Sequence, residues 1–312
     1  MARATFLLPA AARFGGQQAG ADVARLLGRA DREHAGEEGR HAQLRRHFRL
    51  TPDHWPMAAL TRQMDAGDAA ASSWLRADPA YVRPDINGAR LLAIGASLGL
   101  DDDDRAAFLP ALRPMFGDAG FPIDAPHPSR WYLRLPQGAK LPAFAEPSEA
   151  LGADLFDHLA EGSEGRRWRT LLGEAQVLLH NHPRNAQRVA QGRAPVNSLW
   201  FWGGGALPDA VASPHAALHS GDEIALALAD ATGIARALPG SFGIDVDDAV
   251  FDLHGARDLA ALERDWLQPA CMALQRGGLQ TLLLDFADGR QWTLAPGQRW
   301  RFWRRPLARF DA

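Results

Sequence analysis

The segment from residue 180 to residue 205 holds the residues whose types and spacing best suit ligand chemistry. It reads HNHPRNAQRVAQGRAPVNSLWFWGGG. An arginine can hold a phosphate or carboxylate through two parallel hydrogen bonds, and glycines that follow a strand let backbone N–H groups approach an anion. The candidate ligands for a small anion are therefore Asn185, Arg188, Asn197, Gly203, Gly204 and Gly205.

A structural interpretation of the same glycines stays open. The triple glycine has neither the spacing of a dinucleotide-binding fingerprint nor the Gly-Lys-Ser/Thr sequence of a P-loop. A tight turn that leaves Trp200 and Trp202 on a sheet would explain it equally well.

Two groups of potential metal ligands are present, and neither predicts a metal site. His180 and His182 stand two residues apart, so on a helix their side chains would point about 200° apart. The end of a helix favours a protonated histidine, which is a sufficient structural reason for them. In the run Asp101-Asp102-Asp103-Asp104, Asp101 is predicted to cap a helix whose positive end attracts the acids that follow. The sequence thus predicts no metal and no cofactor.

The composition is that of a globular protein of a reducing compartment. The 312 residues are 46% hydrophobic and 23% charged, and the net charge of -3 gives no basic field for nucleic acid. Lys140 is the only lysine, and the only cysteine, Cys271, lies in an apolar helical segment typical of a buried thiol. No apolar run is long enough for a signal peptide or a membrane span. We therefore predict a cytoplasmic protein that contacts neither nucleic acid nor membrane.

Hydrophobic periodicity predicts strands alternating with helices, and hence an α/β fold with a mixed sheet flanked by helices. A Pro-rich stretch, with Pro136, Pro142 and Pro147, is the best linker candidate. It divides the chain into regions 1–136 and 137–312, unless the whole is one domain. The main predicted elements are strands over 5–8, 121–123, 131–135 and 197–202, helices over 22–29, 52–65, 165–180, 185–191, 222–232 and 257–276, and a hairpin over 279–294.

The sequence resembles a known family over most of its length. The string from Trp168 to Pro208 resembles the RpfE-type bacterial regulatory proteins, as do WLRADPAYVRPD (74–85), PSRWYLRLP (128–136) and WRFWRR (300–305). The same string is more distantly similar to part of the cofactor-independent, archaeal-type phosphoglycerate mutases. This resemblance implies a fragment of their alkaline-phosphatase-like architecture, and it adds Arg76, Asp78 and Arg83 to the candidate ligand residues.

The mutases that the chain resembles use two metal ions, bound by Asp and His, and a serine nucleophile. Their first metal ligand belongs to an Asp-Gly motif directly after the first strand. Here that strand is followed by Leu8-Pro9-Ala10-Ala11, and an Asp-Gly pair stands at 288–289 in a late hairpin turn. The resemblance therefore implies a relative that lacks the phosphoryl-transfer machinery.

Three functions remain open on the sequence. The first is a non-catalytic regulatory or binding protein that recognises a small anionic metabolite or a protein partner. The alternative is a metal-dependent phosphoglycerate mutase-like enzyme or phosphatase, with an unconventional site at His158, His180 and His182 and nearby aspartates. The third is an assembly protein whose tryptophan-rich surfaces bind another chain, since aromatics with arginine suit interface hot spots.

Overall fold

The chain divides into two compact units in a computed structural model that describes residues 2–85, 88–243 and 247–311. Unit 1 comprises Met1–Asp53 and Ala210–Ala312, and unit 2 comprises His54–Asp209. The predicted boundary at 136/137 falls inside unit 2. The reason is that strands from both sides of it pair with one long central strand, so that hydrogen bonds join regions the linker was expected to separate.

The strands of the described residues alternate with helices along most of the chain. They are β1 (Arg3–Leu8), β2 (Asp31–His34), β3 (Arg49–Thr51), β4 (Ser73–Asp85), β5 (Gly88–Ile94), β6 (Ile123–His127), β7 (Arg130–Leu135), β8 (Ser198–Gly205), β9 (Ala210–Ala212), β10 (Ala217–Ser220), β11 (Ala235–Ala237), β12 (Ala249–Asp252), β13 (Thr281–Phe286) and β14 (Arg290–Leu294).

The α-helices of the described residues are mostly short, and the longest belong to unit 2. They are α1 (Ala21–Arg29), α2 (Arg40–Arg45), α3 (Met57–Ala66), α4 (Asp102–Asp118), α5 (Pro147–Ala150), α6 (Gly162–His180), α7 (Arg184–Ala190), α8 (Glu223–Asp230), α9 (Leu259–Leu262) and α10 (Gln268–Gln275). No helix in the described part of the chain combines the length and apolarity that crossing a bilayer requires.

Unit 1 is built on a mixed sheet in which the described strands lie in the order β11-β10-β12-β1-β13-β14-β2. The strands from β11 to β13 pair in parallel, and β14 and β2 add antiparallel pairs at one edge. Parallel strands are buried on both faces and therefore read as continuous apolar runs, as Phe6, Leu7 and Leu8 do. The carboxyl ends of these parallel strands meet at one edge of the sheet, which we call the carboxyl edge.

The helix that follows β12 contains a π-helical turn between α9 and α10. Pro269 has no N–H to donate to the carbonyl of Asp265 four residues earlier, and that carbonyl accepts instead from the N–H of Phe242 at 2.9 Å. The widened turn, Glu263–Leu267, places Trp266 against the rings of Phe6 and Phe251. Cys271 is buried on α10, as predicted, and burial raises the pKa of its thiol to about 12.

Unit 2 is built around the 13-residue strand β4, which pairs antiparallel with β5, β7 and β8 in the described residues. Strand β6 extends the sheet beyond β7. Helices α4 and α6 cover one face through a core that includes Phe116, Trp131 and Trp168. Burial of such aromatic side chains contributes about 2 to 3 kcal/mol each, so this face holds unit 2 together.

The α/β class with a mixed sheet and flanking helices is confirmed, and most predicted elements are present. The helix predicted over 165–180 is α6, which buries an apolar stripe of residues between Trp168 and Leu179. Asp101 and Asp222 cap α4 and α8 through their carboxylates. The helix predicted from Pro52 begins only at Met57. Asp22 lies in the first turn of α1, because Gly20 is its N-terminal cap.

Candidate functional site

Arg76 and Asp78, two of the predicted ligand residues, form a buried ion pair with each other. Arg76 Nε donates to Asp78 Oδ1 at 2.7 Å, and Trp202 Nε1 donates to Asp78 Oδ2 at 2.7 Å. The guanidinium lies over the rings of Trp202 and Tyr132, with its carbon 5.1 and 5.4 Å from the ring centres. A buried charge needs a partner, and here Arg76 and Asp78 are partners of each other. Through Trp202, the pair also stabilises the contact between β4 and β8.

Arg188, an arginine predicted from the sequence to hold an anion through two hydrogen bonds, uses all three guanidinium nitrogens inside the protein. Nη1 donates to the carboxylate of Asp104, Nη2 to the carbonyl of Leu98 at 2.8 Å and Nε to the carbonyl of Ala194 at 2.9 Å. Its side chain is fully buried. Arg188 therefore ties α7 to the start of α4.

Two further arginines converge on the same carboxylate. Asp104 is fully buried and accepts from Arg184 Nε and Arg193 Nη2, each at 2.7 Å, in addition to Arg188. We call Asp104 with these three arginines the Asp104 network. From the sequence, Asp104 was expected only to complement the positive end of a helix. In the structure it is the centre of an ion-pair cluster.

The two predicted asparagines act on backbone groups. Asn185 donates to the carbonyls of Leu179 and Val196 and accepts from the N–H of Val196, each at 2.8 Å. Asn197 exchanges two hydrogen bonds of 2.8 Å with the backbone of Val82 on β4. Each side-chain amide thereby links backbone segments of unit 2 through hydrogen bonds. Asn197 also lines the cleft described below.

The three glycines that end β8 allow close packing of the chain. Gly203 and Gly205 have positive φ angles of 66° and 147°, which side chains rarely adopt. A Cβ on Gly203 would come 3.1 Å from the Cβ of Met57, and one on Gly204 would collide with Leu141. Arg83, the remaining predicted ligand, is exposed near the end of β4. The nine ligand residues predicted from the sequence thus make separate contacts within the protein, and these contacts do not bring them together around one pocket.

A cleft along α6 offers a volume for a ligand in unit 2. It measures about 500 Å³, and we call it the α6 cleft. Its walls come from α6, from β4 and β5, and from the segment before α6. The lining residues are Val82, Pro84, Ala89, Leu155, Phe156, Leu159, Arg169, Leu172, Gly173, Gln176, Val177, His180, Asn181 and Asn197.

The α6 cleft is apolar with a few polar groups placed along it. Phe156 and Val177 both line the cleft and remain 61% and 63% exposed, and exposed apolar side chains that lie together are typical of ligand-binding grooves. Arg169 brings a guanidinium that also donates to the carbonyl of Ala160. A volume of this size, mainly apolar with few convergent polar groups, is the usual composition of a small-molecule site.

Sequence reasoning missed most of the cleft residues, although a signal was present. Arg169, Gly173, Gln176 and His180 recur at spacings of three or four residues, and Val177 stands beside Gln176, so they lie along one face of α6. That face lies beside the buried stripe and mixes apolar with polar residues. The sequence alone could have indicated this second stripe on α6. It could not have indicated that residues of β4 and β5 form the opposite side of the cleft.

The carboxyl edge of unit 1 gathers charged residues from strands that are far apart in sequence. Asp252 ends β12, and its Oδ2 accepts from Ser220 Oγ at 2.7 Å and from Arg40 Nη2 at 2.5 Å. Because β10 and β12 are parallel neighbours, Ser220 and Asp252 emerge at the same edge. The Asp252 carboxylate is thus neutralised by an arginine and buried beneath it.

A second carboxylate at this edge is neutralised in the same way. Asp285, fully buried on β13, accepts from Arg46 Nε and Nη2 at 3.0 and 2.6 Å. Its other partner is His47, whose Nε2 lies 2.8 Å from Oδ2. Burial alone would raise the pKa of Asp285, but the hydrogen bonds from His47 and Arg46 outweigh it and lower the pKa.

His47 leads on to a second histidine and a third aspartate. His47 Nδ1 lies 3.0 Å from His215 Nε2, and His215 Nδ1 lies 2.7 Å from Asp248 Oδ1. Asp248 holds this position with a positive φ of 66°, a conformation that aspartate tolerates better than most residues. The result is a linear arrangement, Asp285–His47–His215–Asp248, which we call the His pair with its flanking carboxylates.

The residues present do not fit the two-metal centre of the mutases that the sequence resembles. Among the residues that the structure describes, no group of three or more His, Cys, Asp and Glu side chains could hold a metal ion. His158, His180 and His182 form no such group: His180 is exposed, and the His182 ring packs on Phe108 with centres 4.8 Å apart. Asp252 and Asp285 at the carboxyl edge each pair with an arginine, and the guanidinium groups neutralise these carboxylates in place of a metal cation.

Acidification should destabilise unit 1 through His254. Burial, followed by the charge of Arg40, lowers its pKa from 6.5 to about 4, against smaller opposing effects of Asp252 and Asp222. As the pH falls below 6.5 the unfolded chain binds this proton first, so stability is lost between about pH 6.5 and pH 4. We expect a loss of about 2 kcal/mol. Urea unfolding at pH 7, 5.5 and 4.5 measures it; a His254→Gln variant with the same pH slope as the parent would contradict this.

The segment near the end of the chain exposes large aromatic side chains. Trp300, Phe302 and Trp303 are 67%, 79% and 68% exposed, and the Arg299 guanidinium lies 4.9 Å from the Trp300 ring centre. The backbone beneath them is fixed, since Arg301 Nη1 donates to Asp31 Oδ1 at 2.5 Å and Arg304 Nη1 to the carbonyl of Ala30 at 2.7 Å. Two tryptophans and a phenylalanine therefore lie on the outside of unit 1.

The fold and its sheet edge define an α/β protein, and comparison with known proteins gives its relatives. No family model matches the chain. Over 100 residues, 32% of the chain, it is 30% identical to a probable 2,3-bisphosphoglycerate-independent phosphoglycerate mutase of Geobacter sulfurreducens, of which 24% is covered. Over 62 residues, 20% of the chain, it is 34% identical to the corresponding mutase of Methanosarcina barkeri, of which 16% is covered.

The chain is thus distantly homologous to cofactor-independent phosphoglycerate mutases over part of its sequence, and it matches a quarter or less of the length of these curated relatives. Among solved structures, a cofactor-independent phosphoglycerate mutase from Thermoplasma acidophilum is similar at a TM-score of 0.43 and 14% identity, covering 95% of this chain and 90% of that one. The PH0037 protein from Pyrococcus horikoshii gives 0.48 and 12%, covering 94% and 87%.

Proposed function

We propose that this phosphoglycerate-mutase-related chain is a non-catalytic binding protein that recognises a small anionic ligand with an apolar body in the α6 cleft. The observation that carries this proposal is the cleft itself, about 500 Å³ of mainly apolar wall with a guanidinium from Arg169. A regulatory role of the RpfE type, in the cytoplasm of a bacterium, is part of the same proposal and is favoured by the sequence motifs.

The composition of the cleft supports this class of ligand. Leu159, Leu172 and Val177 would contact an apolar body, and the planar fork of Arg169 suits a carboxylate or sulfonate. Neutral donors and acceptors on Gln176, Asn181 and Asn197 would fix its orientation with their remaining capacity. Gln176 and Asn181 each already donate one hydrogen bond within the protein, and Asn197 takes part in two. Ligand specificity would therefore come mainly from shape and one charge.

The carboxyl edge of unit 1 supports the non-catalytic part. A two-metal mechanism needs carboxylates and imidazoles free to bind closely spaced cations. Asp252 and Asp285 carry arginine partners instead, and β1 is followed by Leu8-Pro9. The alternative function, a metal-dependent mutase-like enzyme or phosphatase, is favoured by the names of the sequence relatives and has to be tested beside the proposal.

The direct test uses an aromatic sulfonate, 8-anilinonaphthalene-1-sulfonate, whose fluorescence rises in apolar sites. We expect one equivalent to bind the native protein and Gly173→Phe to abolish binding. A Cβ on Gly173 meets no atom within 4 Å, so the new ring has room to fill the cleft without moving the helix. Arg169→Gln should weaken binding about tenfold, through loss of a charged hydrogen bond.

The matched control is Gly117→Phe on α4, another helical glycine of unit 2 with open space around it and no part in the cleft. This variant should bind the dye like the parent, and all variants should keep the parent circular dichroism spectrum. Dye binding that survives Gly173→Phe would overturn the cleft as the site. Turnover of 3-phosphoglycerate that manganese restores and a chelator removes would overturn the non-catalytic part.

A further inference from the structure

The segment of unit 1 that exposes Trp300, Phe302 and Trp303 also carries four arginines. Residues 299–305 read RWRFWRR, and we call them the aromatic–arginine surface. The three rings are mostly exposed, so they project from unit 1 into solvent. Large apolar side chains that lie together on the outside of a protein mark an interaction site more often than scattered ones do.

The charge of this surface is positive, in a chain whose net charge is -3. Residues 289–310 contain six arginines and no acidic residue. Within the surface itself, Arg301 is paired with Asp31. The other three arginines have no carboxylate within ion-pair distance in the part of the chain that the structure describes. An anionic partner would therefore meet guanidinium groups that no carboxylate of unit 1 neutralises.

The backbone beneath the surface is fixed against α1, so the rings are presented without prior ordering. The N–H of Leu307 donates to the carbonyl of Ala24 at 2.8 Å. Gly28 allows the carbonyl oxygen of Arg305 to approach the helix, since a Cβ at that position would lie 2.2 Å from this oxygen. Because the ordering of a binding segment costs affinity, a segment that is already held in place binds more tightly.

We propose that the aromatic–arginine surface binds an anionic lipid bilayer, with Trp300, Phe302 and Trp303 inserted at the level of the headgroups. Tryptophan has an apolar body and one polar N–H, and it prefers this level of a bilayer. Arginine keeps its charge beside the lipid phosphates while its stem lies along apolar surface. Apolar insertion and a basic patch together give the two signals that stable peripheral attachment needs.

The shape of the surface favours a bilayer over an acidic protein segment. Phe302 and Trp303 pack edge to face with ring centres 5.4 Å apart, and they form a projecting wedge. A protein partner would satisfy the arginines equally well, but it would have to provide a preformed pocket for this wedge. Lipid headgroups and acyl chains rearrange around inserted rings and need no such pocket.

A peripheral surface of this kind differs from what the sequence alone predicts. The prediction of no membrane contact rests on the length of apolar runs, and that criterion does not describe a local surface. The inference concerns unit 1 alone and does not rest on the ligand site proposed in unit 2.

Co-sedimentation of tag-free protein with sucrose-loaded vesicles tests the proposal. We expect binding to phosphatidylcholine vesicles that contain about 30% phosphatidylglycerol, and at least tenfold weaker binding to pure phosphatidylcholine, since each arginine near an anionic surface contributes about fivefold. Added salt should weaken the binding by screening. Arg305→Gln should weaken it about fivefold, and Trp300→Ser combined with Trp303→Ser should weaken it at least tenfold.

Insertion has a separate readout in tryptophan fluorescence. Of the ten tryptophans, Trp300 and Trp303 are the exposed ones. Vesicles that contain phosphatidylglycerol and phosphatidylcholine with brominated acyl chains should quench the parent protein. They should not quench the variant that carries serine at both positions.

The matched controls are Val189→Ser and Arg113→Gln, which change an exposed apolar residue on α7 and an exposed arginine on α4. Both should bind the vesicles like the parent, and all variants should keep the parent circular dichroism spectrum because the substituted side chains are exposed. Loss of binding in either control would place the contact elsewhere and overturn the proposal.

Three further results would overturn it. The first is no binding of the parent to the anionic vesicles, or equal binding of the parent and the double serine variant. The second is binding without quenching, which would mean adhesion by charge alone. The third is binding of poly-L-glutamate, weakened in Arg305→Gln, by a protein that binds no vesicle, which would assign the surface to an acidic protein partner.

Discussion

Asp104→Asn should lower the free energy of unfolding by about 4 kcal/mol, the largest effect that we expect from a single substitution in this chain. The Asp104 carboxylate is fully buried and neutralises guanidinium groups from Arg184, Arg188 and Arg193. Asparagine keeps the shape but removes the charge, and its NH₂ group would face an N–H donor. Arg188 would suffer most, because its side chain has no exposure through which water could replace the lost partner.

Urea unfolding followed by tryptophan fluorescence measures this effect, with Asp103→Asn as the matched control. Asp103 stands next to Asp104 in the first turn of α4 but is exposed, so its loss should change stability far less. A fall in stability of similar size in both variants would mean that the helix terminus and not the ion-pair network determines the cost. A negligible change in Asp104→Asn would show that the arginines find other acceptors.

Local patterns predicted the elements that stand alone, and the reason is physical. The helical stripe from Trp168 to Leu179 and the hairpin of β13 and β14 depend on periodicity and on the Asp288-Gly289 turn, which are properties of neighbouring residues. The division into units was not predictable in this way. Unit 1 closes only because β1 pairs with β12 and β13, more than 240 positions further along the chain.

The ligand residues show the opposite limit. Arg188 has the chemistry of an anion ligand, and nothing near it in the sequence shows that its anion is Asp104, 84 residues earlier. Asn197 likewise meets Val82 across 115 residues. Residue type predicts what a side chain can bind, but burial and tertiary pairing decide whether that capacity is already used within the protein.

Asp285→Asn should lower the free energy of unfolding by about 3 kcal/mol. The wild-type carboxylate accepts from two nitrogens of Arg46 and from His47 Nε2, so an amide would again present a donor to donors. Asp22→Asn is the control within unit 1, because the Asp22 side chain is 86% exposed and its pairing with Arg25 is solvated. Urea unfolding of the two variants and the parent is the measurement, and an equal loss of stability in both variants would contradict the prediction.

The order of the two large effects is itself a test of what holds these carboxylates in place. Arg46 is 16% exposed and can regain some hydration when its partner is lost, whereas Arg188 is completely buried. Desolvation of the stranded cation therefore predicts a greater cost for Asp104→Asn than for Asp285→Asn. If Asp285→Asn proves the more costly substitution, the hydrogen bond between Asp285 and His47 contributes more to stability than the ion pair with Arg46. The His pair would then stabilise unit 1 beyond what the ion pairs of the carboxyl edge provide.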